Sequence, residues 1–220
     1  MSVIVVFGAG GRAGRAVLNE ALSRDHRVVA AVRDPAKYRD LETDRVSMIR
    51  ADVTDAAAVA EAAHGTDAAV HAVSPFSGPE GLDALDPAFF VKASDALLTG
   101  LASAGVGRLL VVGLFANMPT RSGGLVMDDP ALLPPQIRPF AQAHTDGLDH
   151  LSAADSPLDW LMLTPPAALS IDLPRTGSYR IGTQAYAEEG QLSYADLAVA
   201  IIDEIEHPTH HRTRVPVYSH

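Results

Sequence analysis

Apolar runs of four to six residues recur along the chain, at Val3–Phe7, Arg27–Val32, Val46–Ile49, Ala68–Val73, Leu109–Val112 and Trp160–Leu163. Short runs of this kind suit strands buried on both faces of a parallel sheet. Helical patterns lie between them. Ala13, Val17, Leu18, Ala21 and Leu22 form one apolar stripe, so a first helix opens directly behind the first strand. Asp34 before Pro35 predicts an N-cap with proline at N1. Thr54 or Asp55 caps the alanine-rich segment to Ala63, and His64-Gly65 stops it. A long helix is predicted over 87–104, ending at Gly105, and another over 136–153. The tail predicts a short hairpin around Gly182, a helix capped by Ser193 with Asp196 in the capping-box position, and a last strand near 214–217. Strand and helix alternation implies βαβ units with right-handed crossovers. The expected fold class is α/β, one domain over 1–220, with a doubly wound, mostly parallel sheet and a small C-terminal substrate-side extension.

The alternation breaks at 113–139, where two adjacent glycines, five prolines and the acidic pair Asp128-Asp129 occur together. Irregular loops of this length inside a domain are usually functional. This segment and 165–192 are the expected substrate side.

Composition narrows the chemistry. The 220 residues contain no cysteine, which removes thiolate nucleophiles, disulfides and Cys-based metal sites. A formal charge of −10 disfavours nucleic acid as a partner, because phosphate contacts need a basic face. No stretch approaches the roughly 20 apolar residues of a membrane span, and Val3–Phe7 is too short for a signal peptide, so a cytoplasmic protein is expected. His207, His210, His211 and His220 lack a regular ligand spacing, and no metal is expected.

The glycines behind the first strand allow two registers, Gly8-x-Gly10-x-x-Ala13 and Gly8-x-x-Gly11-x-x-Gly14. Either gives a tight turn, a close backbone approach to a pyrophosphate and a helix packed near the strand, with the helix N-terminus facing the phosphates. A carboxylate at the end of the second strand selects NAD, and an arginine there selects NADP. That strand ends at Arg33, with Arg12 and Lys37 as further candidates for a 2′-phosphate. The competing reading gives the ribose to Asp34, but Asp34 is already committed as an N-cap. NADP(H) is therefore expected in preference to NAD(H). Asp52 and Val53 follow the third strand, where a carboxylate can meet the adenine amine or serve as a loop cap. Ser74 and Pro75 follow the fourth, beside the cofactor.

The segments "FGAGGRAG", "AAVRDPAK", "ADVTD", "DAAVHAVSP", "GVGRLLVVG", "LDWLMLTPP", "RTGSYRIG" and "LSYADLAVAIIDEIEHPTHH" resemble the atypical short-chain dehydrogenase/reductase superfamily. The resemblance is to its small NAD(P)H-binding proteins, grouped with NmrA-like proteins and biliverdin reductase B/flavin reductase. It implies a Rossmann fold with NADP(H) held by Gly8, Gly11, Arg12, Gly14 and Arg33, and the nicotinamide near Ser74, Gly113 and Pro165. Typical superfamily members use a Tyr-x-x-x-Lys pair. Here the only lysines, Lys37 and Lys92, do not follow a tyrosine by four, and the corresponding helix contains Phe140 and His144. A phenyl ring cannot donate a proton, so alcohol dehydrogenation loses its main catalyst. Hydride transfer to a flavin or quinone needs mainly orientation of two rings. His144 is the candidate acid, since an ordinary histidine titrates near neutrality. Phe115, Met118, Met127, Phe140 and Pro166 are candidates for an apolar substrate wall. The expected partner is a small-molecule acceptor, with a homodimer as a possible assembly. The rival readings are a non-catalytic NADP(H)-binding redox sensor and a pathway-specific reductase or isomerase.

Overall fold

The computed structural model describes residues 1–75, 85–182 and 190–220. β1 (Val3–Phe7) lies between β2 (Arg27–Val32) and β4 (Ala68–His71), with β3 (Val46–Arg50) outside β2. β5 (Arg108–Val112), β6 (Asp159–Thr164) and β10 (Thr213–Tyr218) continue the sheet on the other side, giving the order β3-β2-β1-β4-β5-β6-β10-β8. All pairs are parallel except that of β8 (Arg180–Ile181) with β10. The chain reverses its direction of travel at β1 and β4, and ligands of doubly wound sheets bind in the crevice outside the strand ends at that point.

Alternation within β1 divides the core. Ile4 and Val6 face one layer, where α1 (Arg12–Ser23) packs against α5 (Tyr194–Glu206). Val5 and Phe7 face the other, built from α2 (Ala56–Ala63), α3 (Phe89–Ala104) and α4 (Arg138–Ala153). Both sheet faces are thus covered, which is why the strands are apolar without alternation in sequence.

Several boundaries move for local reasons. β4 stops at His71: Ala72 N–H still bonds the Phe7 carbonyl, and the chain then leaves the ladder. Asp34 does cap its segment, accepting from Ala36 N–H, but Pro35–Leu41 forms a 3₁₀ turn in which Tyr38 is not helical. Asp55, rather than Thr54, caps α2. Asp86 accepts from Ala88 N–H, which starts α3 at Phe89 instead of 87. Pro135–Ile137 is a 3₁₀ turn leading into α4. Ser193 caps α5 as predicted, and Asp196 accepts from the Ser193 hydroxyl. Arg180–Ile181 pairs with Val217 and Tyr218, and the expected return of the hairpin around Gly182 lies outside the described residues. The same holds for part of the 165–192 segment. The 113–139 segment is folded, with 3₁₀ turns at Phe115–Asn117 and Val126–Asp128 around a small core of its own. β7 (Ala168–Ser170) and β9 (Gln191–Ser193) form a separate two-stranded sheet. Among the described residues no helix is long and apolar enough to cross a membrane.

Candidate nucleotide and acceptor site

Two clefts meet above the ends of β1 and β4. The first, about 430 Å³, lies over β1, β2 and β3 and is lined by Gly8, Arg33, Tyr38, Asp52, Val53 and Ser74 among others. The second, about 790 Å³, lies over β4, β5 and β6 and is walled by Phe115, Phe140, His144, Pro165, Pro166 and Tyr194. They share Gly10, Gly11, Ala72, Val73 and Ser74. The glycine loop is therefore the ridge between two compartments.

The loop's geometry comes from close approaches. Gly8 has φ +85°, and a Cβ there would stand 2.8 Å from the Ala72 carbonyl oxygen. A Cβ on Gly14 would strike the Gly8 carbonyl, so Gly14 is what lets α1 lie against the strand. Gly11 is the N-cap of α1 and has no side-chain cap bond. These positions select the Gly8, Gly11, Gly14 register. Gly10 has a different use: a Cβ there would run into the Tyr38 ring, which covers it. With no side chain capping α1, first-turn N–H groups and the positive end of the helix dipole are available to an anion. The cradle fits a pyrophosphate in both shape and charge.

In the first cleft, Arg33 is exposed, whereas Asp34 is bonded to Ala36 N–H and stands 3.7 Å from the Lys37 ammonium. Asp52 accepts from the Thr54 backbone N–H at 3.0 Å and from its hydroxyl at 2.8 Å. Those bonds, led by the backbone N–H and aided by the Arg33 charge, hold its carboxyl below the usual range. Asp52 thus both shapes its turn and faces the cleft. Arg12 faces the second cleft rather than the first, with its guanidinium 5.5 Å from the Tyr194 ring centroid. The expectation that it assists Arg33 fails on geometry, because the helix start turns it to the opposite side of the loop.

In the second cleft, His144 is buried, its ring centroid 4.5 Å from that of Phe90. Burial pushes its pKa down to about 4; the adjacent backbone of His144 itself and of Val112 opposes this, and the Arg214 charge adds to it. The imidazole is neutral at pH 7, so the argument from an ordinary histidine pKa does not apply to it. Phe115, Phe140, Gly113, Pro165 and Pro166 line this cleft. Met127 does not: it is buried with Met118, Val126, Leu133 and Ala141 in the core of the 113–139 segment. Pro75 adjoins Ser74 but does not line either cleft. At the far end of the sheet, His210 pairs with Glu204 and His211 with Asp159.

Sequence reasoning missed Tyr38, Phe89 and Phe90, whose approach depends on tertiary packing. It also missed Tyr194, the first residue of α5, for which the adjoining Ser193 cap was a usable signal.

The model of the NAD(P)H-binding family matches residues 8–208. YwnB of Bacillus subtilis is 34% identical over 224 residues, covering 98% of each chain. A provisionally assigned epimerase of Bacteroides thetaiotaomicron is 31% identical with a TM-score of 0.83, over 100% of this chain and 98% of its own. A provisionally assigned NADH-flavin reductase of Streptococcus pneumoniae is 26% identical with a TM-score of 0.80, over 100% of both chains. The match over nearly the whole chain, the sheet order and the glycine cradle agree: the chain belongs to the NAD(P)H-binding family, within the atypical short-chain dehydrogenase/reductases.

Proposed function

We propose that this protein is an NADPH-dependent reductase that delivers hydride to a planar acceptor such as a flavin or quinone. The observation that carries the reading is the contrast in the two clefts that share the glycine ridge. One has an exposed arginine and a backbone cradle; the other has aromatic and proline walls with a neutral imidazole. The likeness to the Streptococcus pneumoniae protein supports the choice of acceptor class.

In this reading Gly8, Gly11 and Gly14 admit the pyrophosphate, which Gly10, Arg12 and Ala13 border, and the first turn of α1 binds it. Arg33 pairs with the 2′-phosphate, a charge-assisted contact open to a guanidinium and denied to Asp34. Asp52 and Val53 border the adenine, Ser74 the middle of the dinucleotide, and Gly113 and Pro165 the nicotinamide ring. The bound nicotinamide supplies hydride. Phe115, Phe140 and Pro166 exclude water and hold the acceptor ring flat, while the His144 N–H polarises an acceptor oxygen or nitrogen. Solvent supplies the proton, since a neutral imidazole carries no spare one near pH 7. Tyr194 and Arg12 close the opposite wall.

The test is oxidation of NADPH, with NADH in parallel, against FMN, FAD, riboflavin and simple quinones, after binding of each nucleotide has been measured. Acceptor-dependent turnover favouring NADPH supports the proposal. Tight binding without turnover favours the redox-sensor reading instead.

A further inference from the structure

Beside His144 lies a small space between the sheet and the layer of α3 and α4. Its volume is about 20 Å³. His71 at the end of β4, Ser94 of α3 and His144 of α4 are its polar lining; Phe90, Leu109 and Met162 are among its apolar walls. His71 is 6% exposed and His144 7%. Nδ1 of each ring is buried with no hydrogen-bond partner among the described residues. Ser94 Oγ donates to the Gly147 carbonyl at 3.1 Å, which leaves its lone pairs for the space in front of it.

Two orphaned ring nitrogens in one apolar enclosure are costly unless something bonds both. A water site needs roughly 10–15 Å³ and two to four polar partners, and this space supplies both. We infer that it holds one trapped water linking His71 to His144, and that His71 is a positioning residue which fixes the tautomer of His144. The bond count follows from the partners. Nδ1 of His144 has no partner among the described residues, and the Val112 backbone beside the ring favours a proton on Nε2. Nδ1 of His144 then accepts from the water. The water's second hydrogen goes to Ser94 Oγ, whose own hydrogen is committed to Gly147. The water in turn accepts from Nδ1–H of His71. The bonds of the water are then all met, and Nε2–H of His144 is left for the acceptor cleft, which His144 lines. The charged groups facing the pair are the two rings themselves and Arg214 of β10, whose charge opposes protonation of His144. No carboxylate lines the space to favour an imidazolium.

This role for His144 in turnover rests on the reductase proposal, whereas the water and the tautomers do not. The experiment is two-bond proton–nitrogen NMR on ¹⁵N-histidine-labelled full-length protein, from pH 5.5 to 8, without acceptor. The expected result is His144 as the Nε2–H tautomer and His71 as the Nδ1–H tautomer, neither titrating in that range. His71→Phe fills the space, displaces the water and shifts His144 toward the Nδ1–H form. His71→Asn keeps a polar group there and restores Nε2–H. If His71→Phe does not fold, Ser94→Ala removes a partner of the water and is expected to broaden the same signal. In the reductase assay His71→Phe is expected to lower turnover about tenfold with nucleotide affinity unchanged. An Nδ1–H form of His144 in the unmodified protein, a His144 tautomer unmoved in a folded His71→Phe protein, or a His144 signal unchanged in Ser94→Ala overturns the inference. Absence of turnover with every acceptor overturns the reductase proposal while the NMR result still decides the water link.

Discussion

The two clefts are built from the same kind of strand ends and differ in what recognises the ligand. Over β1, β2 and β3 the recognition elements are backbone and charge: an uncapped helix start, Arg33 beyond a strand end, and Asp52 ionised by its own turn. Over β4, β5 and β6 they are shape and desolvation: Phe90, Phe115, Phe140 and two prolines surround a histidine that burial keeps neutral. In the proposed reading the cofactor is met by groups tied to the backbone geometry of the fold, and the acceptor by side chains that arrive from separate helices and loops. Function can change in the second cleft while the first stays as it is.

The largest effect should come from the ridge that both clefts share. Gly14→Val drives a side chain into the Gly8 carbonyl, and we expect NADPH binding to weaken more than about a hundredfold, roughly 2.7 kcal/mol or more, with a lower Tm. Calorimetric titration and thermal melting check both. Next is the second cleft alone: His144→Phe removes a desolvated hydrogen-bond donor and should lower acceptor reduction by about a hundredfold. NADPH affinity should stay within about twofold, so parallel steady-state and binding measurements separate the clefts. If both fell together, the division of labour would be wrong.

In the first cleft, Arg33→Ala should weaken NADPH binding by about tenfold to thirtyfold and leave NADH unchanged, the size of one charge-assisted contact. Equal losses for the two nucleotides would move the 2′-phosphate elsewhere.

A pH effect tests the burial of the second cleft. Burial lowers the pKa of His71 to about 3 and of His144 to about 4, from 6.5. Between about pH 4 and 6.5 the unfolded chain therefore binds more protons than the folded one, so stability should rise with pH across that window and level off above it. The buried carboxylates Glu20 and Glu204 have lowered pKa values, led by the Arg175 hydrogen bond for Glu20 and, against its desolvation, by the Thr209 and His210 bonds for Glu204. Their contribution is lost only below about pH 4.5, so a melting-temperature change between pH 5 and 6.5 reports the histidines. The smallest effect is expected at Met127, where Met127→Leu should change neither acceptor kcat nor KM by more than about twofold, because its side chain belongs to the core of the 113–139 segment.

The sheet was legible because its central strands are mostly apolar runs, and the glycine ridge because the Gly8, Gly11 and Gly14 spacing reflects how α1 packs against the end of β1. Arg33 was legible because it directly follows β2. Tyr38 was not, since nothing in its own segment announces that its ring will cover Gly10. Met127 was misplaced because an apolar residue in an irregular loop serves equally as wall or core, and only the fold of 113–139 decides. Arg12 was assigned to the wrong cleft because its position at the loop was clear while its direction depends on where α1 starts. His144 was found by its place on α4, but its protonation follows from burial under Phe90, which no local pattern encodes.

The account turns on the two clefts acting as one site in which a nucleotide in the first reduces an acceptor in the second. The most direct measurement is single-turnover oxidation of bound NADPH, followed at 340 nm, on mixing with FMN or a simple quinone. The account predicts decay of the nucleotide signal that depends on the acceptor, is faster than for NADH, and is slowed by His144→Phe. A bound nucleotide that no flavin or quinone oxidises would contradict it.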